Sequence, residues 1–140
     1  MNASATADGP LVFELRMPLR WGDHDALDHV NNTMYLRYLE EARVRWFAEH
    51  IPNWDRADDA SPLMAAIHAN YRRPLQWPAD ILVQLFCVRL GNSSLTIGHR
   101  IVDASDPSIL YLDGNVVMVW INPANGKPTA LPEGIRTACA

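Results

Sequence analysis

The sequence contains little cysteine and no excess of positive charge. Cys87 and Cys139 are the only cysteines among its 140 residues. Two cysteines are too few for a disulfide framework, so we expect a reducing compartment and hence a cytoplasmic location. The formal net charge of −4 offers no basic surface to nucleic acid or to an anionic membrane, and neither is expected as a partner.

Long hydrophobic runs are also missing. No apolar stretch approaches the ~20 residues that a membrane-spanning helix needs. The first ten residues, MNASATADGP, lack the apolar core of a signal peptide and predict a flexible tail over 1–10. With 49% apolar residues, the overall composition is that of a globular protein, and residues 11–136 predict a single domain.

Hydrophobic periodicity predicts one strand followed by one long helix. Residues 11–20, LVFELRMPLR, alternate between apolar and polar side chains, as a half-buried strand does. Pro18 has no N–H to donate, which indicates an edge strand or a bulge. Residues 33–50 carry apolar side chains at helical spacing, and Asn31 or Asn32 is the expected cap of that helix.

The second half of the chain predicts four further strands. Over residues 63–77 the pattern is ambiguous, and we favour a strand that ends near Arg73, with room for a short helical turn before it. Three clearer strands follow at 80–90, 94–103 and 109–121, separated by the turns GNSS and DPS. A short tail follows the last strand.

The order of these elements indicates how the sheet and the helix pack. Short turns join antiparallel neighbours, and a sheet with one helix must bury its apolar face on that helix. The sequence therefore predicts an α+β protein with the hotdog fold, in which an antiparallel five-stranded sheet wraps around one long helix. Strand 80–90 is apolar on both faces. Because one helix cannot cover both, we expect a homodimer or a homotetramer.

A charged loop lies directly before the predicted helix. It belongs to the stretch RWGDHDALDHVNNTMYLRYLEEAR, residues 20–43, which resembles the signature of hotdog-fold acyl-CoA thioesterases of the 4-hydroxybenzoyl-CoA thioesterase family. Weaker similarities lie in YRRPL, residues 71–75, and LGNSS, residues 90–94, so that the resemblance covers about residues 12–136. It implies hydrolysis of acyl-CoA thioesters in a pocket between two subunits, with no cofactor.

The same resemblance assigns roles to residues of the loop and of the helix start. It places the catalytic carboxylate on Asp25, acting as a general base or as a nucleophile. It places the helix N-terminus that polarises the thioester carbonyl at Asn32 and Thr33, where unpaired backbone N–H groups carry positive partial charge. The family usually has glycine at the position of Asp28, and aspartate tolerates the left-handed backbone of such a turn better than most residues.

Four further residues, two of this motif and two of YRRPL, have both a functional and a structural interpretation. His29 and Tyr35 could contact the substrate, although a buried, hydrogen-bonded His29 and a core Tyr35 are the simpler expectations. Arg72 and Arg73 could hold the phosphates of CoA, since guanidinium groups suit phosphate. Exposed arginines at strand ends are nevertheless commoner than phosphate clamps.

The charged neighbours of these residues have mainly structural interpretations. Asp23 is expected to shape the loop by accepting backbone N–H groups, and His24 is expected to be an exposed loop residue. Glu40 and Arg43 are expected to pair along the helix. Glu40 is also an alternative base, because another branch of acyl-CoA thioesterases uses a helical glutamate.

The sequence leaves two alternatives to a thioesterase. One is a non-catalytic hotdog module that binds acyl ligands or only assembles. The other is a metal-binding protein, whose oxygen and nitrogen ligands would be Asp23, His24, Asp25, Asp28 and His29. No zinc-binding spacing of histidine and cysteine is present, and no metal is expected. The absence of a G-x-S-x-G motif argues against an α/β-hydrolase.

Overall fold

The computed structural model describes residues 9–56 and 59–140. Its elements follow the predicted order, with one addition near the C-terminus. They are β1 (Leu11–Pro18), α1 (Asn32–His50), β2 (Ser61–Tyr71), β3 (Asp80–Leu90), β4 (Ser94–Asp103), β5 (Leu110–Ile121) and α2 (Glu133–Cys139). A short 3-10 turn, Trp21–Asp23, lies in the loop between β1 and α1. Most of the tail predicted over 1–10 lies outside the described residues.

The five strands form one antiparallel sheet in the order β1-β3-β4-β5-β2. α1 packs against one face of this sheet, and the core between them is apolar. Leu39 and Trp46 of α1 are fully buried there, as are Ile97 and Leu112 of the sheet. The predicted hotdog fold is confirmed, and β1 lies at an edge of the sheet, as Pro18 indicated.

α1 begins where its sequence supplies a cap. Asn31 has a non-helical backbone, and its Oδ1 accepts the amide of Thr33 at 2.9 Å. At the other end, the amide of Ile51 still donates to the carbonyl of Phe47, and Pro52 then prevents continuation of the helix. The predicted helix is confirmed, with Asn31 as its cap.

α2 was not predicted from the sequence. It has seven residues, too few for a clear periodic pattern, and Gly134 lowers its intrinsic helix preference. Tertiary packing favours this helix instead: Ile135 is fully buried, and a Cβ at Gly134 would lie 1.8 Å from the carbonyl oxygen of His50. In the described part of the chain, neither helix is long and apolar enough to cross a membrane.

The ambiguous segment forms the single strand β2, which lies at the second edge of the sheet. The strand already begins at Ser61, so the segment does not contain the short helical turn that the sequence left open. β2 exposes Leu63, Met64 and Ile67 by 51%, 44% and 40%. By contrast, β3 lies between β1 and β4, and its side chains up to Val88 are buried or half-buried. The surplus apolar surface therefore lies on β2, not on the strand from which it was predicted.

Candidate active site

The loop between β1 and α1 is folded around Asp23, which is only 5% exposed. Its Oδ2 accepts the hydroxyl of Tyr38 at 2.6 Å and the amide of Arg20 at 3.2 Å. Its carbonyl accepts the amide of Asn31 at 3.0 Å. Burial and this nearby carboxylate raise the pKa of the Tyr38 hydroxyl above its ordinary value. The predicted loop-shaping role of Asp23 is confirmed.

Asp25 lies on the exposed side of the same loop. Its Oδ1 accepts the amide of Leu27 at 2.9 Å, and its Oδ2 accepts Nδ2 of Asn31 at 3.3 Å. Its backbone closes the loop, because its amide donates to the His29 carbonyl and its carbonyl accepts the Asp28 amide. Asp28 has a φ of 62°, so the left-handed backbone expected at this position is present. The Asp25 carboxylate is thus oriented by two donors and open to solvent.

The N-terminus of α1 presents backbone amides to this region. Oδ1 of Asn31 accepts both the amide and the hydroxyl of Thr33, at 2.9 and 2.6 Å. The Thr33 amide, one of the two predicted oxyanion donors, is therefore occupied by the cap. Within residues 9–56 and 59–140, the amide of Asn32 has no hydrogen-bond partner.

A cavity of about 310 Å³ lies beside this helix end, between the first turn of α1 and the chain that leaves β2. It is lined by His29, Val30, Asn32, Tyr35, Tyr71, Arg72, Arg73 and Pro74. The structure therefore brings together five of the seven predicted site residues. Asp25 and Thr33 do not line the cavity, but both are bonded to Asn31 at the helix start.

Two tyrosines form the wall of the cavity. The hydroxyl of Tyr71 donates to the carbonyl of Asn32 at 2.9 Å. The hydroxyl of Tyr35 donates to the Arg73 carbonyl at 3.2 Å and accepts the Leu75 amide at 2.8 Å. The two rings meet edge to face with centroids 5.0 Å apart, and burial raises the pKa of both hydroxyls. Sequence reasoning missed Tyr71; its place at the head of the YRRPL motif was the available signal.

The two arginines of that motif have different surroundings. Nε and Nη2 of Arg72 both lie 3.1 Å from Oδ1 of Asp113, which is 5% exposed. Arg72 is therefore engaged by a buried carboxylate. The side chain of Arg73 is exposed, while its amide donates to the carbonyl of Tyr111 at 3.3 Å. Among the described residues, Arg73 makes no ion pair, whereas Arg72 does.

Both histidines of the loop differ from their simplest expectation. The side chain of His24 is only 12% exposed, and its Nε2 accepts the amide of Trp77 at 2.8 Å. It is a half-buried anchor, so the prediction of an exposed loop residue was wrong. His29 is exposed and lines the cavity, where burial was the simpler expectation.

The helical carboxylate also has a different partner from the one predicted. Oε1 of Glu40 accepts Nη1 of Arg37 at 2.6 Å on the exposed surface of α1. Arg43 makes no ion pair with Glu40 among the described residues; it points into the protein, is 6% exposed, and has a pKa that burial lowers and the charge of Glu40 raises. Both arginines lie three residues from Glu40, so spacing alone could not separate them.

The geometry does not support a metal site in the 23–29 segment. Within the described ranges, no three histidine, cysteine, aspartate or glutamate side chains are close enough to hold a metal ion together. The Asp23 carboxylate is already bound by Tyr38 and by the Arg20 amide. The metal-binding alternative therefore lacks a converging ligand set.

Comparisons with a family model, with solved structures and with a curated relative all find thioesterases. The model of the thioesterase-like superfamily matches residues 19–139. The PA2801 protein of Pseudomonas aeruginosa is 39% identical, with a TM-score of 0.88 over 94% of this chain and 100% of that one. A thioesterase of Thermus thermophilus, solved with coenzyme A and Zn, is 32% identical, with a TM-score of 0.75 over 94% and 98% of the two chains. The long-chain acyl-CoA thioesterase FadM of Escherichia coli (strain K12) is 28% identical over 117 residues, which are 80% of this chain and 85% of that protein.

Proposed function

The chain belongs to the thioesterase-like superfamily and is a thioester hydrolase, and we propose that Asp25 and the amide of Asn32 hydrolyse acyl-CoA thioesters to a free acid and CoA. The acyl-CoA thioesterase activity of the Escherichia coli relative and the coenzyme A bound to the Thermus thermophilus relative support this substrate class. One observation carries the site assignment: Asn31 caps α1 and also donates to Asp25, so a single side chain holds the carboxylate against the helix N-terminus.

The helix N-terminus supplies stabilisation for the developing negative charge. The free N–H of Asn32 and the aligned peptide dipoles of α1 favour an oxyanion on the thioester carbonyl. This donor is preorganised, because Tyr71 binds the Asn32 carbonyl and fixes the orientation of the first turn.

Asp25 can act in either of two ways. As a general base it removes a proton from water as the water attacks the carbonyl carbon. As a nucleophile it forms an acyl–carboxylate anhydride, which water then hydrolyses. In both cases the C–S bond breaks and CoA leaves as a thiolate that takes up a proton. The two donors to Asp25, Leu27 N–H and Asn31 Nδ2, suit both mechanisms because they fix the carboxylate without covering it.

The cavity supplies the substrate contacts. Its wall of Val30, Tyr35, Tyr71 and Pro74 is mainly apolar and suits the acyl or pantetheine part of the substrate. Arg73 is assigned to a CoA phosphate, because it is an exposed residue and the guanidinium of Arg72 is held by Asp113. His29 borders the same cavity and is placed to contact the substrate.

The proposed function includes a homo-oligomer, in which a second copy of the chain pairs along β2. Among the described strands, one edge of β2 has no neighbour, and Leu63, Met64 and Ile67 expose apolar side chains. This combination favours strand pairing. Pairing with β2 of a second copy would cover these side chains and would place that copy beside the cavity, which begins at Tyr71. Light scattering at micromolar concentration should show a dimer or a larger assembly; a single 15.7 kDa species would contradict it.

Asp25→Asn tests the catalytic assignment. The amide keeps the shape of the side chain but cannot take a proton or attack the carbonyl, so turnover should fall by about 10²–10⁴-fold. Asp28→Asn is the matched control, because Asp28 is an exposed acid of the same loop and asparagine also tolerates its left-handed backbone; it should keep most of the activity. Substrates should first be found by screening acyl-CoAs of different chain lengths and aroyl-CoAs.

The outcomes separate the competing functions. Near-normal turnover by Asp25→Asn would reject Asp25 as the catalytic carboxylate. If the native protein turned over none of the thioesters but bound them, the non-catalytic acyl-binding module would be the better description.

A further inference from the structure

We propose that neutral His24 is a positioning residue for Asp25 and that its protonation releases the catalytic loop. This inference rests on the proposed role of Asp25 and adds a residue to which neither the family signature nor the comparisons assign a function. It starts from one contact that crosses between two distant segments of the chain, the 2.8 Å hydrogen bond from the Trp77 amide to Nε2 of His24.

The direction of this hydrogen bond fixes the protonation state of His24. A backbone N–H can only donate, so Nε2 must present its lone pair. The ring proton of the neutral side chain is then on Nδ1, which faces Oδ1 of Asp28 at 3.9 Å. The side chain is 12% exposed, so water has little access to replace the Trp77 contact.

This contact is one of three that tie the loop to the segment 75–77. The amide of Val30 donates to the Leu75 carbonyl at 2.9 Å, and Nε2 of Gln76 donates to the Asp28 carbonyl at 3.3 Å. His24 and Val30 also pair with each other across the loop as an antiparallel bridge. Asp25 lies between these anchors, so its position depends on all three, but a proton can break only the one made by His24.

Protonation converts the anchor into a repulsive contact. With a proton on Nε2, two N–H donors face each other at the distance of a hydrogen bond, and the Trp77 amide loses its acceptor. The charged group that faces His24 is Asp28, from the same loop. The segment opposite, residues 75–78, has the sequence LQWP and contributes no ionisable side chain. Nε2 therefore stops accepting the Trp77 amide once the ring takes up a second proton.

Two substitutions separate the hydrogen bond from the titration. His24→Met keeps an apolar side chain of similar reach but removes the acceptor. His24→Gln can place Oε1 near the position of Nε2, and that oxygen does not titrate. His50→Gln, at the far end of α1, is the control for loss of an imidazole.

The expected result is a change in kcat at nearly constant KM. His24→Met should lower kcat by about 10- to 100-fold, since a misplacement of about 1 Å can cost about 10²-fold. His24→Gln should recover most of that loss, and the fall of kcat in acid should begin at a lower pH than in the native protein. His50→Gln should match the native protein in both respects.

A measurement on the native protein makes the inference independent of variant folding. The ¹⁵N chemical shifts of the His24 ring at neutral pH should be those of the tautomer protonated on Nδ1. The tautomer protonated on Nε2 would overturn the proposal, as would normal kcat in His24→Met. If Asp25→Asn is inactive while His24→Met is normal, only the role of His24 fails. If Asp25→Asn is active, the proposed function fails instead.

Discussion

At its N-terminus α1 has a backbone amide with no partner in the part of the chain that the structure describes, whereas at its C-terminus the helix is covered by α2. The N-terminal end is bordered by the exposed carboxylates of Asp25 and Asp28 and by a cavity. At the C-terminal end, Gly134 packs directly on the carbonyl of His50, and Ile135 is fully buried. An open helix end retains an unpaired dipole that can stabilise charge, and a covered one contributes buried apolar surface. On the proposed assignment, the same helix serves chemistry at its N-terminus and stability at its C-terminus.

A substitution in α2, which covers the C-terminus of α1, should give the largest change in stability. Ile135→Ala removes a fully buried side chain and should lower the free energy of unfolding by about 2–5 kcal/mol. Because α2 does not line the cavity, kcat should be unchanged at temperatures where the variant stays folded. Urea denaturation and steady-state kinetics measure the two quantities.

Thr137→Ala is the matched control on the exposed side of α2, and it should change neither the free energy of unfolding nor kcat. A loss of kcat in folded Ile135→Ala would show that the two ends of α1 are coupled, and the comparison would then fail.

His99 lies between the two ends, on the sheet under α1, and should link stability to pH. Burial, followed by the charge of Arg43, lowers the pKa of His99 from 6.5 to about 4. Between these values the unfolded chain binds a proton that the folded chain does not, so stability should be full above pH 6.5 and should fall as the pH drops toward 4. A shift of this size corresponds to at most a few kcal/mol, at about 1.4 kcal/mol per pKa unit.

The comparison with His99→Gln isolates this contribution. The amide of glutamine can still donate to the His68 carbonyl, as Nε2 of His99 does at 3.0 Å, but it does not titrate. Urea denaturation at pH 7, 6 and 5 should show a smaller loss of stability in the variant than in the native protein. Parallel losses in both proteins would assign the acid sensitivity to other groups.

The sequence predicted the features that depend on neighbours along the chain. The strand β3, the helix α1 and its cap Asn31 follow from local periodicity and capping, and the left-handed turn at Asp28 follows from local backbone preference. The features that it missed depend on distant contacts. α2 forms because Gly134 fits against His50, and β2 is exposed because of its place in the strand order.

The candidate site likewise combines features that depend on sequence neighbours with features that depend on distant contacts. The motif places Asp25 and the helix start together because they are close in sequence. The anchoring of His24 was not predictable, because its acceptor role is set by the amide of Trp77, 53 residues away. The engagement of Arg72 was likewise hidden, since Asp113 lies 41 residues away on β5.

The open end of α1 should respond to substitution of its cap in two separable ways. Asn31→Ala removes the acceptor of the Thr33 amide and the donor to Asp25, so stability should fall by about 1 kcal/mol and turnover should fall as well. Asn31→Asp keeps a good cap, so stability should be retained. It loses the Nδ2 donor and adds a like charge beside Asp25, so turnover should still fall.

Urea denaturation and kcat for both variants test this separation. Full turnover by Asn31→Asp would show that the bond between Asn31 and Asp25 is not needed, and the cap would then serve stability alone.

Glu40→Gln should have the smallest effect on stability and turnover. It tests whether the catalytic carboxylate is Asp25, at the N-terminus of α1, or Glu40, on the side of the helix. Its pair with Arg37 is on the surface, with the two side chains 71% and 51% exposed, and such pairs contribute about 0–1 kcal/mol. Stability should therefore change little, and turnover should not change, because Glu40 lies two turns beyond the free amide of Asn32. Glu41→Gln is the matched control, since Glu41 makes the same kind of exposed pair with Arg45 at 2.6 Å. If Glu40→Gln lost turnover while Asp25→Asn and Glu41→Gln kept it, the base would be the helical glutamate, and the chemistry would lie along the side of α1 instead of at its N-terminus.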